Sequence, residues 1–139
     1  GQHEKAIQDL SEAIRLNPND ALAYSNRAAT YDDLGQASRA IDDYDQAIRL
    51  NSNDALAYSG RGSLYQGIGQ YERAVQDHDE AIRLDPDHSL TYLNRALAYT
   101  FLGKDEEAEQ DVAQAVELGI GPNLEAAVKA SIEEAKSIR

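Results

Sequence analysis

The chain has 139 residues, 42% of them apolar, enough to fill the core of one domain or one short repeat array, and it carries a formal net charge of -12. That acidic excess excludes nucleic acid and acidic membrane surfaces as partners, because both draw their affinity from Lys and Arg. Cysteine is absent, so disulfides and thiolate chemistry are excluded, and no run of roughly 18 apolar residues offers a membrane span.

The chain opens on Gly1 and contains no Met, so it reads as a fragment of a longer protein, with a cytoplasmic location favoured. From His3 to Leu16, Ala6, Ile7, Leu10, Ala13 and Ile14 recur at helical spacing. A second helix is expected from about Asp20 to Leu34. Asn19 or Asp20 caps its start, and Gly35, which tolerates a left-handed backbone, stops it. Tyr24, Ala28, Tyr31 and Leu34 share one face of this helix, and Arg27 falls among them. A third helix from about Ala37 to Leu50 aligns Ala37, Ala40, Ile41, Tyr44, Ala47 and Ile48 and ends in the turn signal "NSND".

The pattern then repeats at one fixed interval. Residues 17–50 and 51–84 agree at well over half of their places without a gap, and Gly35, Gly69 and Gly103 align. So do Tyr24, Tyr58 and Tyr92, then Tyr31, Tyr65 and Tyr99, then Ala40, Ala74 and Ala108. Residues 1–20 match only the second half of a unit. Full units are expected at 21–54, 55–88 and 89–121. No single helix pair can bury its own apolar face, so pairs must stack. After Leu118, Gly119 reads as a helix stop and Pro122 as a first-turn residue of a last helix over 122–139. Leu124, Val128, Ile132 and Ala135 form its stripe, while Glu133 stands where the repeats have Tyr31, Tyr65 and Tyr99, as suits a solvating cap.

A 34-residue helix pair with Tyr, a small residue, Tyr, Gly, Ala, an aromatic, Ala and Pro at these places resembles the tetratricopeptide repeat, over Gly1 to about Pro122. Pro18 and Pro86 match the family's closing proline; Ser52 and Ile120 depart from it. The resemblance implies a fragment of a longer, bacterial-type member. It also implies an all-α, right-handed α-solenoid of antiparallel helix pairs, here with a C-terminal capping helix. The first helices of such an array line a concave groove that binds peptide segments of other proteins, with no catalysis and no cofactor.

A cation on a packed face needs a carboxylate, since an unpaired buried charge is too costly. Arg27, Arg61, Arg95 and Lys129 hold one place in successive units, and Asp9, Asp43, Asp77 and Asp111 hold one place in the helices that precede them. Pairing every Asp with the cation of the next helix, Asp9 with Arg27 through to Asp111 with Lys129, uses all eight groups. This predicts an internal ion-pair ladder across the repeat junctions.

The face of the first helices turned away from the tyrosine stripe grades from acidic to apolar. Leu22, Asn26, Asp32 and Asp33 stand at one end, Leu90, Leu93, Asn94, Leu97 and Phe101 at the other, with Leu56, Ser63 and Gln66 between. It predicts a peptide groove with an apolar anchor near Leu97 and Phe101, amide contacts from Asn26 and Asn94, and basic residues favoured by Asp32 and Asp33; the competing expectation is that part of the apolar patch packs against the last helix, with Leu124 and Val128 closing one side of it. "YSNRAA" at 24–29 looks like a stretch of those repeats that clamp the C-terminal carboxylate of chaperones. Where that clamp needs Lys and Arg, however, the next helices offer Leu56, Gly60, Leu90 and Asn94. His78 is equivalent to Leu10, Tyr44 and Val112 and reads as core, and "DPDHS" at 85–89 is a helix connector rather than a calcium loop. No catalytic or metal site can be assembled. The expected partner is a protein or peptide; the competing expectation is a scaffold that self-associates through the helix from His3 to Leu16.

Overall fold

A computed structural model describes residues 1–139 as eight helices and no strand. They are α1 (Gln2–Leu16), α2 (Ala21–Asp33), α3 (Ala37–Leu50), α4 (Ala55–Gly67), α5 (Tyr71–Leu84), α6 (Ser89–Phe101), α7 (Asp105–Glu117) and α8 (Pro122–Ile138). None is long and apolar enough to cross a membrane.

Two turn chemistries alternate along the chain. Within a pair, Gly35, Gly69 and Gly103 take φ of 70°, 80° and 74°, a left-handed backbone that glycine adopts without steric cost. The amide after each glycine then donates back to the carbonyl of Tyr31, Tyr65 or Tyr99, closing the helix end at 2.8–2.9 Å. Between pairs the chain passes instead through extended Asn17, Asn51 and Asp85, whose side chains accept the amides of Asn19, Asn53 and Asp87. Asp20 and Asp54 then cap α2 and α4 by accepting amides of their first turns, Ala23 for Asp20 and Leu56 and Ala57 for Asp54.

These turns stack the pairs into a row in which α2 packs on α3, α4 on α5 and α6 on α7, while α2, α4, α6 and α8 touch one another in sequence. Ala40, Ala74 and Ala108, all at 0–1% exposure, mark where second helices meet the row most closely. The apolar core falls into two clusters. One joins Ala28, Ala40, Tyr44, Ala57 and Leu64; the other joins Tyr92, Leu93, Ala96, Ala108, Val112, Ala115, Val128 and Ile132. His78 of α5 is fully buried, and neither ring nitrogen has a hydrogen-bond partner in the protein.

The last junction differs from the other three. Gly119 takes φ of 95°, and the amide of Ile120 donates to the carbonyl of Ala115, the bonding of a within-pair turn. α8 accordingly lies against α6 and stands off from α7, leaving a cleft of about 680 Å³ with an apolar lining of Val112, Ala113, Val116 and Ile132.

Candidate functional site

The first helices α2, α4 and α6 each carry a single cation, Arg27, Arg61 and Arg95. All three side chains are turned into the fold. Arg27 donates from Nε and Nη2 to the two carboxylate oxygens of Asp43 at 2.7 and 2.8 Å, Arg61 does the same to Asp77 at 2.8 and 2.8 Å, and Arg95 to Asp111 at 2.8 and 2.7 Å. Each guanidinium also lies between two tyrosine rings, with its centre 5.6–5.9 Å from the centroids of Tyr24 and Tyr31, Tyr58 and Tyr65, or Tyr92 and Tyr99. The hydrogen bonds to Asp77 and Asp111 push Arg61 and Arg95 well above their ordinary pKa, so neither gives up its charge.

The ladder therefore runs in a different register from the expected one. Arg27, Arg61 and Arg95 pair with Asp43, Asp77 and Asp111 of the helix that follows, inside their own helix pairs. The expected partners Asp9, Asp43 and Asp77 of the helix before are not the ones they take. The tight glycine turn sets α3, α5 and α7 closer to their own first helices than to the next ones. The fork geometry of guanidinium then places the Nε and Nη2 edge on that near carboxylate. The remaining Nη1 reaches back across the junction, to Ser11 at 3.0 Å, Asp45 at 2.8 Å and Asp79 at 2.8 Å. Asp9 stays exposed and makes no ion pair, and Lys129 bonds Glu125 on its own helix at 2.6 Å. Asp45 and Asp79 were the missed members. The available signal was that each precedes an arginine by the same interval at which Asp77 or Asp111 follows it.

With every first-helix arginine engaged, the open face of α2, α4 and α6 carries no free cation. Asn26, Ala29, Asp32 and Asp33 are exposed on α2 and Ser63 on α4. Partial desolvation of its carboxyl and the neighbouring Asp33 raise the pKa of Asp32, and burial together with the charges of Asp32, Asp54 and Asp33 pushes the Tyr44 hydroxyl up to about 12. The apolar end of the expected groove is mostly packed. Leu93, at 3% exposure, belongs to the core with Val128 and Ile132 of α8, and Leu97 and Asn94 are half-buried, Leu97 against that cluster. Phe101 stacks on Tyr71 at 4.5 Å and 6°. The anchor expected near Leu97 and Phe101 is thus largely taken up inside the fold, Leu97 by the cluster that α8 completes and Phe101 by Tyr71 of α5, whereas Leu90 stays 48% exposed.

Tetratricopeptide repeat family models match residues 1–35, 21–54, 55–88 and 79–110. This chain belongs to the tetratricopeptide repeat family. One stretch of it is 56% identical over 34 residues to "Hsp70-Hsp90 organizing protein 3" of Arabidopsis thaliana, a match spanning 24% of this chain and 6% of that protein. Among solved structures, the second tetratricopeptide domain of Spaghetti (RPAP3) bound to the HSP90 peptide SRMEEVD superposes with a TM-score of 0.70 at 32% identity, over 82% of this chain and 98% of that one. The MamA protein superposes with a TM-score of 0.79 at 28% identity, over 85% of this chain and 64% of that one. The array is thus an all-α solenoid of tetratricopeptide type.

Proposed function

We propose that the array is a protein-interaction module that holds a peptide segment of a partner on the concave face formed by α2, α4 and α6. One observation carries the reading: the only cations of these helices are consumed inside the fold, which leaves an open face of leucine, serine, asparagine and aspartate. The likeness to RPAP3 domains whose structures hold HSP90 and HSP70 peptides supports peptide binding as the mode. The ligand differs in this reading, because an acidic tail ending in a carboxylate needs cations where this chain has Leu56, Gly60, Leu90 and Asn94. No catalytic step is part of the proposal. Random peptides displayed on phage and selected on the chain, then titrated into an isotope-labelled sample, test it. Amide shifts should gather on α2, α4 and α6, and shifts confined to α7, α8 or the outer helices overturn the reading.

A second reading is self-association through α1. It is supported by α1 having no buried residue, with Ile7, Leu10 and Ile14 only half-covered. Light scattering over a concentration series separates it, since a mass that stays at one copy removes it.

A further inference from the structure

Leu22, Leu56, Leu90 and Leu124 occupy one and the same place in successive units, and they are 66%, 67%, 48% and 40% exposed. One exposed leucine on a protein surface means little. Four at a fixed interval form a row, one near the start of each of α2, α4, α6 and α8. No core cluster includes any of them. We propose that this row seats an extended, basic segment of a partner protein in polyproline II conformation, with an apolar side chain at every third residue. The proposal rests on the concave-face reading and names the chemistry of its ligand.

Spacing selects the conformation. α2, α4 and α6 touch one another in sequence, and packed helices ordinarily lie about 8–10 Å apart, which sets the pitch of the first three rungs. A polyproline II segment turns once in three residues and advances about 9 Å, so its residues i, i+3, i+6 and i+9 face one way at the pitch of the row. A β-strand returns a side chain to one face after about 7 Å and falls out of step by the third rung. A helical ligand returns one after about 5.4 Å, short of the pitch, or at i+7 after about 10.5 Å, beyond it.

Charge selects the residues between the apolar ones. Asp20 and Asp54 stand just before Leu22 and Leu56 as helix caps, and Asp54 is bonded from α2 by Ser25 at 3.5 Å, which fixes a carboxylate between the first two rungs. Asp87 precedes the third rung, and Asp32 and Asp33 lie exposed further along α2. No free cation of α2, α4 or α6 offsets these acids. Lys or Arg between the apolar residues of the ligand therefore meets unopposed negative potential. Asn26 and Asn94 can bond the ligand's backbone, which in polyproline II makes no internal hydrogen bonds.

The test uses a synthetic amidated peptide with Leu at every third place and Pro and Lys between, titrated into the full chain by fluorescence anisotropy. Binding should be at least tenfold tighter than for a peptide of the same composition with Leu at every second place. It should be lost when Glu replaces Lys, and it should weaken as salt is added. Leu56→Ser with Leu90→Ser should reduce affinity more than tenfold and leave the melting temperature unchanged, because both side chains are solvated. Asp87→Asn, an exposed acid beside the third rung, is the second variant and should weaken the Lys peptide alone; an unchanged affinity also overturns the proposal. Equal binding of the two leucine spacings, of the Lys and Glu peptides, or of wild type and the leucine double variant overturns the proposal. If selected peptides of other chemistry still map to α2, α4 and α6, the concave-face reading survives that failure; if they map elsewhere, both fall.

Discussion

Replacing Arg61 with Ala isolates what the arginine ladder contributes. The side chain is 18% exposed, and its principal partner Asp77 is 8% exposed, so the paired charges are largely out of water. Removing Arg61 leaves the Asp77 carboxylate buried with no counter-charge, a loss of about 3–5 kcal/mol. The other arm, to Asp45, ends on a carboxylate 47% exposed, and a solvated contact of that kind contributes under about 1 kcal/mol. Arg61→Ala should therefore cost about 4 kcal/mol in urea unfolding followed by helical circular dichroism. Asp77→Ala should cost nearly as much, and Asp45→Ala far less. The pair Arg61→Ala with Asp77→Ala should cost clearly less than the sum of its singles, whereas Arg61→Ala with Asp43→Ala should be close to additive, because Asp43 is held by Arg27. An Asp45→Ala loss equal to that of Asp77→Ala, or stronger coupling of Arg61 to Asp43 than to Asp77, would refute the within-pair register.

Burial lowers the pKa of His78 to about 4 from an ordinary 6.5, with the charge of Arg95 adding to the effect. The unfolded chain therefore takes up the proton first, and the native state should lose up to about 3 kcal/mol as pH falls from 6.5 to 4. His78→Leu should flatten that part of the pH profile of the urea midpoint; parallel profiles for the two proteins would show that the ring titrates freely. Gly62→Ala should destabilise by about 1–3 kcal/mol despite alanine's better helix propensity, since its Cβ would stand 2.8 Å from His78 Cε1 and 3.2 Å from Asp77 Cβ. Thermal melts of two glycine variants near one turn should move oppositely. Gly67→Ala, helical with open space around it, should gain up to about 1 kcal/mol, and Gly69→Ala, at φ of 80°, should lose about as much.

The helices were legible because one pattern is written three times, with the period of apolar places and the glycine stops agreeing at every copy. The expected third helix, Ala37 to Leu50, is the observed α3, and the expected second helix, Asp20 to Leu34, differs from α2 only by its capping residues. The ion-pair register was not legible by counting. The aspartate ahead of an arginine and the aspartate behind it both sit on a neighbouring helix, and only the relative closeness of those two helices decides between them. A guanidinium has two bonding edges, so the reading that gave each charge one partner missed Asp45 and Asp79. The groove was half legible. α2 and α4 show one apolar face, whereas α6 carries Leu90, Leu93, Leu97 and Phe101 beyond the tyrosine stripe, and a helix apolar on most sides is covered on most sides. That breadth was the signal that Leu93 belongs under α8.

The turn at Gly119 accounts for what covers α6. At Asn17, Asn51 and Asp85 an extended residue lets the next helix fall against the second helix just completed, which sets Ile48 and Ile82 against the core clusters. A left-handed Gly119 turns the chain as a within-pair turn does, and α8 swings onto α6. Val128 and Ile132 then complete the cluster around Leu93 and Ala96, while Val116, in the register of Ile48 and Ile82, is left 38% exposed at the cleft. Arg139 holds the far end of α8 by donating to Asp105 at 2.6 and 2.7 Å and to the Thr100 carbonyl at 2.7 Å. One left-handed residue thus seals the apolar side of the third pair.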